Sequence, residues 1–233
     1  MNPNTSSPRA FDMLAFDWDG TLFDSTAIIA RSIQDAVRDV GGTPPTDEAA
    51  RWVIGLELNA ALAKAAPDVL PAAYPELARR YRYHYIQRQD DIALFTGALP
   101  MLHQLKEAGF ILTVATGKSR RGLNDVLASH DLHGLFDDSR TADETAGKPN
   151  PLMLQEMMDV WSIPPERLLM IGDTSHDLQM AINAGCPSIA VTYGAHAAQG
   201  LEQYQPLTIA QSIAQLASWF QTHAFAGQRK KYL

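Results

Sequence analysis

Two rhythms run along the chain. Short unbroken apolar runs, of which Met13, Leu14, Ala15 and Phe16 are the first, have the form of strands buried on both faces of a sheet. Between them apolar residues recur at the spacing of amphipathic helices. After the first run, Asp24 or Ser25 can cap a helix carrying Ile29, Ile33, Val37 and Val40, which Gly41 and Gly42 stop. The stretch 43–91 has no strand pattern; prolines 44, 45, 67, 71 and 75 divide it into short helices expected near 47–54, 57–66 and 73–90. From Thr96 the alternation returns: a helix carrying Leu99, Leu102 and Leu105, a strand at 111–115, and a helix carrying Leu123, Val126 and Leu127. A weaker strand follows at 136–140, then a helix opened by Asn150 as cap and Pro151 as first residue, with Leu154, Met157, Met158 and Trp161 on its apolar face. A strand at 168–171, a helix at 175–184, a strand at 188–192 and a helix carrying Ile209, Ile213, Leu216 and Phe220 complete the series. Strands alternating with helices predict an α/β fold, a Rossmann-like doubly wound parallel sheet. The strand-free stretch predicts an inserted helical cap over 25–95, leaving 11–24 and 96–233 as the core.

Composition narrows the class without changing the architecture. The 233 residues fit one α/β domain with an insertion, and a chain of that size buries about 70 to 75 per cent of its unfolded surface without needing disulfides. Cys186 is the only cysteine, which suits a reducing compartment. Nineteen Lys and Arg against 26 Asp and Glu give a formal charge of −7, which argues against nucleic acid as a partner; the basic tail Arg229, Lys230, Lys231 is too short to reverse it. No apolar run reaches the roughly 20 residues that span a bilayer. The polar start, MNPNTSSPRA, reads as a disordered leader on a soluble cytoplasmic protein.

Candidate chemistry collects where strands end. The first run stops at Asp17, Trp18, Asp19, Gly20 and Thr21. Residues two apart in extended chain point the same way, so Asp17 and Asp19 can address one point; alone, the same residues also make an ordinary Asp-Gly turn. The second strand ends in Thr116 and Gly117, Lys148 follows the third, and Asp173 follows the fourth, with Asp177 four residues on. Parallel strands bring these ends to one edge, where open α/β sheets bind ligands. Carboxylates at 17, 19 and 173 make a hard oxygen set suited to magnesium, with Asp19 contributing its backbone carbonyl. Thr116, the amides near Gly117 and Lys148 would hold phosphoryl oxygens.

DWDGT at 17–21, Thr116 after an apolar strand, Lys148 in KPNP and GDTSHD at 172–177 resemble, in order, the four motifs of the haloacid dehalogenase superfamily, and the chain looks most similar to its phosphoglycolate phosphatase-like members. That resemblance implies a magnesium-dependent phosphatase of a small phosphorylated metabolite, with phosphoglycolate as a candidate. Asp17 would be nucleophile, Asp19 general acid and base, Thr116, Gly117 and Lys148 the phosphate-binding set, Asp17, Asp19 and Asp173 the metal-binding set, and Asp177 a supporting residue. An acid at position 19 favours ester over halide chemistry, because a halide leaving group needs no proton. A phosphosugar mutase using the same aspartyl-phosphate and a non-catalytic phosphometabolite-binding module stand as alternatives. The leaving group and the oligomeric state are left open.

Several neighbours invite plainer readings. Lys118 and Ser119 follow Gly117 as in a nucleotide P-loop, but Leu112 stands where that motif needs glycine, and Ser119 reads as a helix cap. Arg120 and Arg121 read as a solvated helix face, His176 as an exposed helix residue, and YRYHYIQR at 81–88 as cap packing. Trp18 is bulky enough to narrow the pocket, and the loop containing Val53, Ile54, Gly55 and Leu56 looks like one that faces the core.

Overall fold

The computed structural model describes residues 9–130 and 132–223; residues 1–8 of the polar leader and the basic tail lie outside the described residues, whereas Ala10, read as part of the disordered leader, is buried. The elements run β1 (Met13–Phe16), α1 (Thr26–Asp39), α2 (Asp47–Trp52), α3 (Leu58–Ala65), α4 (Tyr74–Ile86), α5 (Ala98–Glu107), β2 (Ile111–Thr116), α6 (Arg120–Ser129), β3 (Asp138–Thr141), α7 (Leu152–Trp161), β4 (Leu168–Gly172), α8 (Ser175–Ala184), β5 (Ser188–Val191), α9 (Ala198–Leu201), β6 (Ile209–Ala210) and α10 (Ile213–His223). The strands form one sheet in the order β3-β2-β1-β4-β5-β6, every neighbouring pair parallel. The order reverses at β1, the switch point at which doubly wound sheets open a ligand crevice.

Alternation along the strands feeds two cores. Leu14, Phe16, Leu112, Val114, Leu169 and Ile171 face one layer, which α5, α6 and α10 close with Leu102, Leu105, Leu123, Leu216 and Phe220. Met13, Ala15, Ala115, Leu168 and Met170 face the other, closed by Met153, Leu154 and Met157 of α7 and Met180 and Ala181 of α8. A third apolar cluster has its buried residues in the helical stretch, joining Ile29, Ile33 and Val37 of α1 to Val53, Leu62, Leu77 and Ala78, with Ala195 packed against it. The two chains that connect it to the sheet run side by side: Asp24 N–H donates to Ala93 O and Phe95 N–H to Leu22 O, both at 2.9 Å.

Four expectations need correcting. Ile209 lies in the edge strand β6 rather than in the last helix, which begins at Ile213; a two-residue strand is too short to leave a periodic signal. The helix expected to start at Pro151 starts at Leu152, whose N–H is still met by the Asn150 side chain at 3.0 Å. Trp161, expected on that helix's buried face, is 37% exposed. Trp18 does not enter a pocket: it is buried in the core, stacked on Phe23 with ring centroids 4.8 Å apart. The period of two that puts Asp17 and Asp19 on one side of the extended chain sends the residue between them the other way.

Candidate active site

The carboxyl edge of the sheet gathers its polar residues around Asp17. Its N–H continues the β1–β4 ladder by donating to Ile171 O at 2.9 Å. Lys148, on the loop after β3, places Nζ 2.5 Å from Asp17 Oδ1 and 2.6 Å from Asp177 Oδ1. That loop is tied to α8 by Asn183, whose side-chain N–H donates to Pro149 O at 2.9 Å. All three charged groups are buried. Asp177 is held by a second duty: its Oδ2 accepts from Thr174 N–H at 3.1 Å and Thr174 Oγ1 at 2.7 Å, closing a capping box at the start of α8.

Asp173 sits beside them. Oδ1 accepts from Thr21 Oγ1 at 2.8 Å and Oδ2 from Ala195 N–H at 2.7 Å. The space around it requires glycine: a methyl group on Gly20 would lie 2.2 Å from Asp173 Oδ2, and one on Gly194 2.1 Å. Gly20 also adopts φ +86°, which other residues rarely enter.

Asp17, Asp173 and Asp177 each offer a carboxylate oxygen within 4.8 Å of one another. At an effective dielectric of about 20, unit charges about 4 Å apart interact by about 4 kcal/mol, so crowding three buried anions is costly. One ammonium, Lys148, faces them. Burial and then Asp177 push Asp173 up to about 7. Burial raises Asp17 as well; Lys148 pulls it back, while Asp177 and Asp173 push it further up. Burial works against the charge of Lys148, but Asp17 and Asp177 outweigh it and hold its pKa above the ordinary lysine value. Asp17 Oδ2 is buried with no hydrogen-bond partner among the described residues. Three carboxylates against one ammonium leave an excess of two negative charges around an unsatisfied oxygen, and a divalent cation with a preference for oxygen ligands fits that deficit. Removing water from the site strengthens each of these interactions.

Asp19 faces a different partner set. Its Oδ1 accepts from Ser25 Oγ at 2.8 Å, and its Oδ2 lies 3.0 Å from Lys118 Nζ. Lys118 also donates to Tyr85 OH of α4 at 3.1 Å. Burial lowers the tendency of Lys118 to hold its proton, but Asp19 and the tyrosines reverse this and keep it firmly cationic. Thr116 Oγ1 accepts from Lys118 N–H at 3.2 Å, closing the turn after β2. Against that turn lies the loop between α2 and α3: a methyl group on Gly117 would meet the carbonyl oxygens of Gly55 and Leu56 at 2.6 Å each. A second contact fastens the same loop. His176 and His196 both address the carbonyl of Trp52 through Nε2, at 2.9 Å and 3.0 Å. Ser175 N–H donates to His196 Nδ1 at 3.1 Å, which assigns the His196 proton to Nε2.

The structure therefore brings Asp17, Lys148, Asp173 and Asp177 into direct contact range and sets Asp19, Thr116 and Gly117 on the same edge. The Asp19 side chain is turned to Lys118 and Ser25 rather than into the acid cluster. His176, expected to be exposed, is 6% exposed, packed against the Trp52 ring at the end of α2 and against His196. Ser119 does cap α6, accepting from Gly122 N–H at 3.2 Å. Lys118, Ser25, Thr21 and Tyr85 are the contributors the sequence reading passed over. Lys118 carried a signal: it stands two residues beyond Thr116, as Asp19 stands two beyond Asp17.

The family described as haloacid dehalogenase-like hydrolase matches residues 14–191. A phosphoglycolate phosphatase of Vibrio vulnificus is 33% identical over 214 residues, covering 88% of this chain and 93% of the relative. One from Vibrio cholerae is 29% identical over 217 residues, covering 89% and 96%. A haloacid dehalogenase-like family hydrolase from Streptococcus pneumoniae superposes with a TM-score of 0.78 at 24% identity, covering 91% of this chain and 99% of that one, which speaks for the shared fold. By family match, by full-length relatives and by fold, this chain belongs to the haloacid dehalogenase-like hydrolases.

Proposed function

We propose that this protein hydrolyses phosphomonoesters of a small metabolite through a phosphorylated Asp17, with phosphoglycolate as the first substrate to test because that is what the similar Vibrio enzymes are named for. The observation that carries this reading is Asp17 itself: a buried carboxylate with one oxygen on Lys148 and the other unpartnered, at the switch point of the sheet. In the first step an Asp17 oxygen forms a bond to phosphorus, the ester P–O bond breaks, and Asp19 gives its proton to the departing alkoxide. In the second a water oxygen attacks phosphorus, the bond to Asp17 breaks, Asp19 takes the water proton, and phosphate leaves. Thr116 Oγ1, the amides following it and Lys148 hold phosphoryl oxygens while charge shifts between bonds. Asp17, the Asp19 carbonyl and Asp173 would hold magnesium, with Asp177 orienting Lys148 and the metal's waters. Bound there, the ion would neutralise phosphoryl charge.

The helical stretch 25–95 serves as a cap over the core 11–24 and 96–233, and the Gly55–Leu56 seat on Gly117 supports that division. Closing it would exclude water from the first step, and reopening would admit it for the second. Transfer to water is preferred over return to a second hydroxyl, as a mutase would require, because the near full-length relatives are phosphatases. A reducing, cytoplasmic setting is supported by the single cysteine; among the described residues no helix is long and apolar enough to cross a membrane. The test is a phosphate-release screen over metabolite monoesters with and without magnesium. Release that needs the metal supports the reading, and no release from any ester in its presence contradicts it.

A further inference from the structure

We propose that Lys118, braced by Tyr85 of the cap, receives a carboxylate on the leaving group, so that the site selects phosphomonoesters in which a carboxylate lies one methylene from the ester oxygen. This deepens the phosphatase reading and rests on it. A buried ammonium normally has an evident charge to serve. Lys148 serves Asp17 and Asp177, whereas Lys118, whose side chain is 12% exposed, has Asp19 alone as its carboxylate among the described residues. Asp19 is in turn engaged at its other oxygen by Ser25.

The geometry makes Lys118 more than a local counter-charge. Its Nζ is within hydrogen-bond reach of the same carboxyl group that must touch the leaving oxygen. Atoms one or two bonds beyond that oxygen therefore fall within reach of Lys118. A purely alkyl group there would press hydrocarbon against a part-buried ammonium. A carboxylate would accept a charge-assisted hydrogen bond from it.

The other support comes from the opposite side of the crevice. Tyr85 accepts from Nζ at 3.1 Å and sets its ring under the ammonium at 5.1 Å from the centroid. Tyr81, one helical turn earlier, stacks on Tyr85 at 6.0 Å and holds it in place. Lys118 comes from the core and the tyrosines from the cap, so the carboxylate receptor is complete only with the cap seated. That ties choice of leaving group to closure.

The test compares phosphoglycolate with ethyl phosphate, which lacks the carboxylate, on the full-length enzyme. The wild type is expected to prefer phosphoglycolate in kcat/KM. In Lys118→Met that preference falls by about tenfold to hundredfold, the loss expected for a hydrogen bond to a charged group, mostly through KM; Lys118→Arg restores part of it. Tyr85→Phe keeps the ring and its packing, and lowers the preference severalfold. Equal losses on both esters in these variants, or a wild type that treats the esters alike, would overturn the proposal. A wild type that hydrolyses neither ester nor any other monoester would bring down the phosphatase reading beneath it.

Discussion

Lys148 and Asp173 decide what the carboxylate cluster is at the scale of residues. Lys148 touches two buried acids at once, and removing one partner of a buried ion pair leaves uncompensated charge. Lys148→Met should lower stability by about 3 kcal/mol in urea titration and reduce turnover, with added magnesium restoring part of the stability. Asp173 supplies a signed pH dependence. Burial and Asp177 place its pKa at about 7, so below that pH a proton competes with a cation for the site. Magnesium affinity should therefore rise as pH increases from 6 to 8, by roughly tenfold per pH unit on the acid side, with proton release on binding measurable by calorimetry in two buffers. A pH-independent affinity without proton release would mean that Asp173 is no ligand.

Legibility at this scale was uneven for a physical reason. Asp17, Asp19, Thr116 and Asp173 lie at or just past strand ends, and those ends follow from the apolar runs that precede them; Lys148 lies further along the loop after β3, and the KPNP motif marked it. Lys118 and His176 are defined by contacts across the crevice, to Tyr85 and to the Trp52 carbonyl. Periodicity within one segment does not report those partners, so His176 read as exposed although Trp52 packs over it.

Elements hold these residues in register. The capping box of α8 fixes Asp177 Oδ2 so that Oδ1 meets Lys148. At the sheet edge, Arg120 at the start of α6 clamps the loop after β3: it donates to Glu144 at 2.8 and 2.7 Å and to Ser139 Oγ at 2.7 Å. Hydrogen bonding from Arg120 holds Glu144 down at about 2 from its ordinary 4.5. The sign follows: a carboxylate whose pKa is lowered by folding adds stability above pH 4.5, and that contribution is lost as pH falls toward 2. Glu144→Gln should be less stable than the wild type at neutral pH, the two converging across that acid window in thermal melts. The gap should be small and shrink with salt, because the Glu144 side chain is 40% exposed. The five longer strands and most of the longer helices were readable from their spacing, give or take a residue or two at their ends; α4, expected to run to 90, ends at Ile86. The strand β6 was not, since its two residues pair with β5 only because the chain returns to that edge.

At the scale of the molecule, two apolar clusters sandwich the sheet and a third belongs to the helical insertion. The strand-free stretch read over 43–91 is helical, holding α2, α3 and α4. Its seating could not be read the same way: the approach of Gly55 and Leu56 to Gly117 depends on how two separately packed bodies meet. All of it serves one centre, assembled from residues as far apart as Asp17 and Asp177. The most direct measurement is magnesium-saturated phosphate release by Asp17→Asn, with folding checked by circular dichroism. The account predicts a loss on the order of a thousandfold or more, as for removal of a catalytic nucleophile, in a protein that remains folded. Release near the wild-type rate would contradict it.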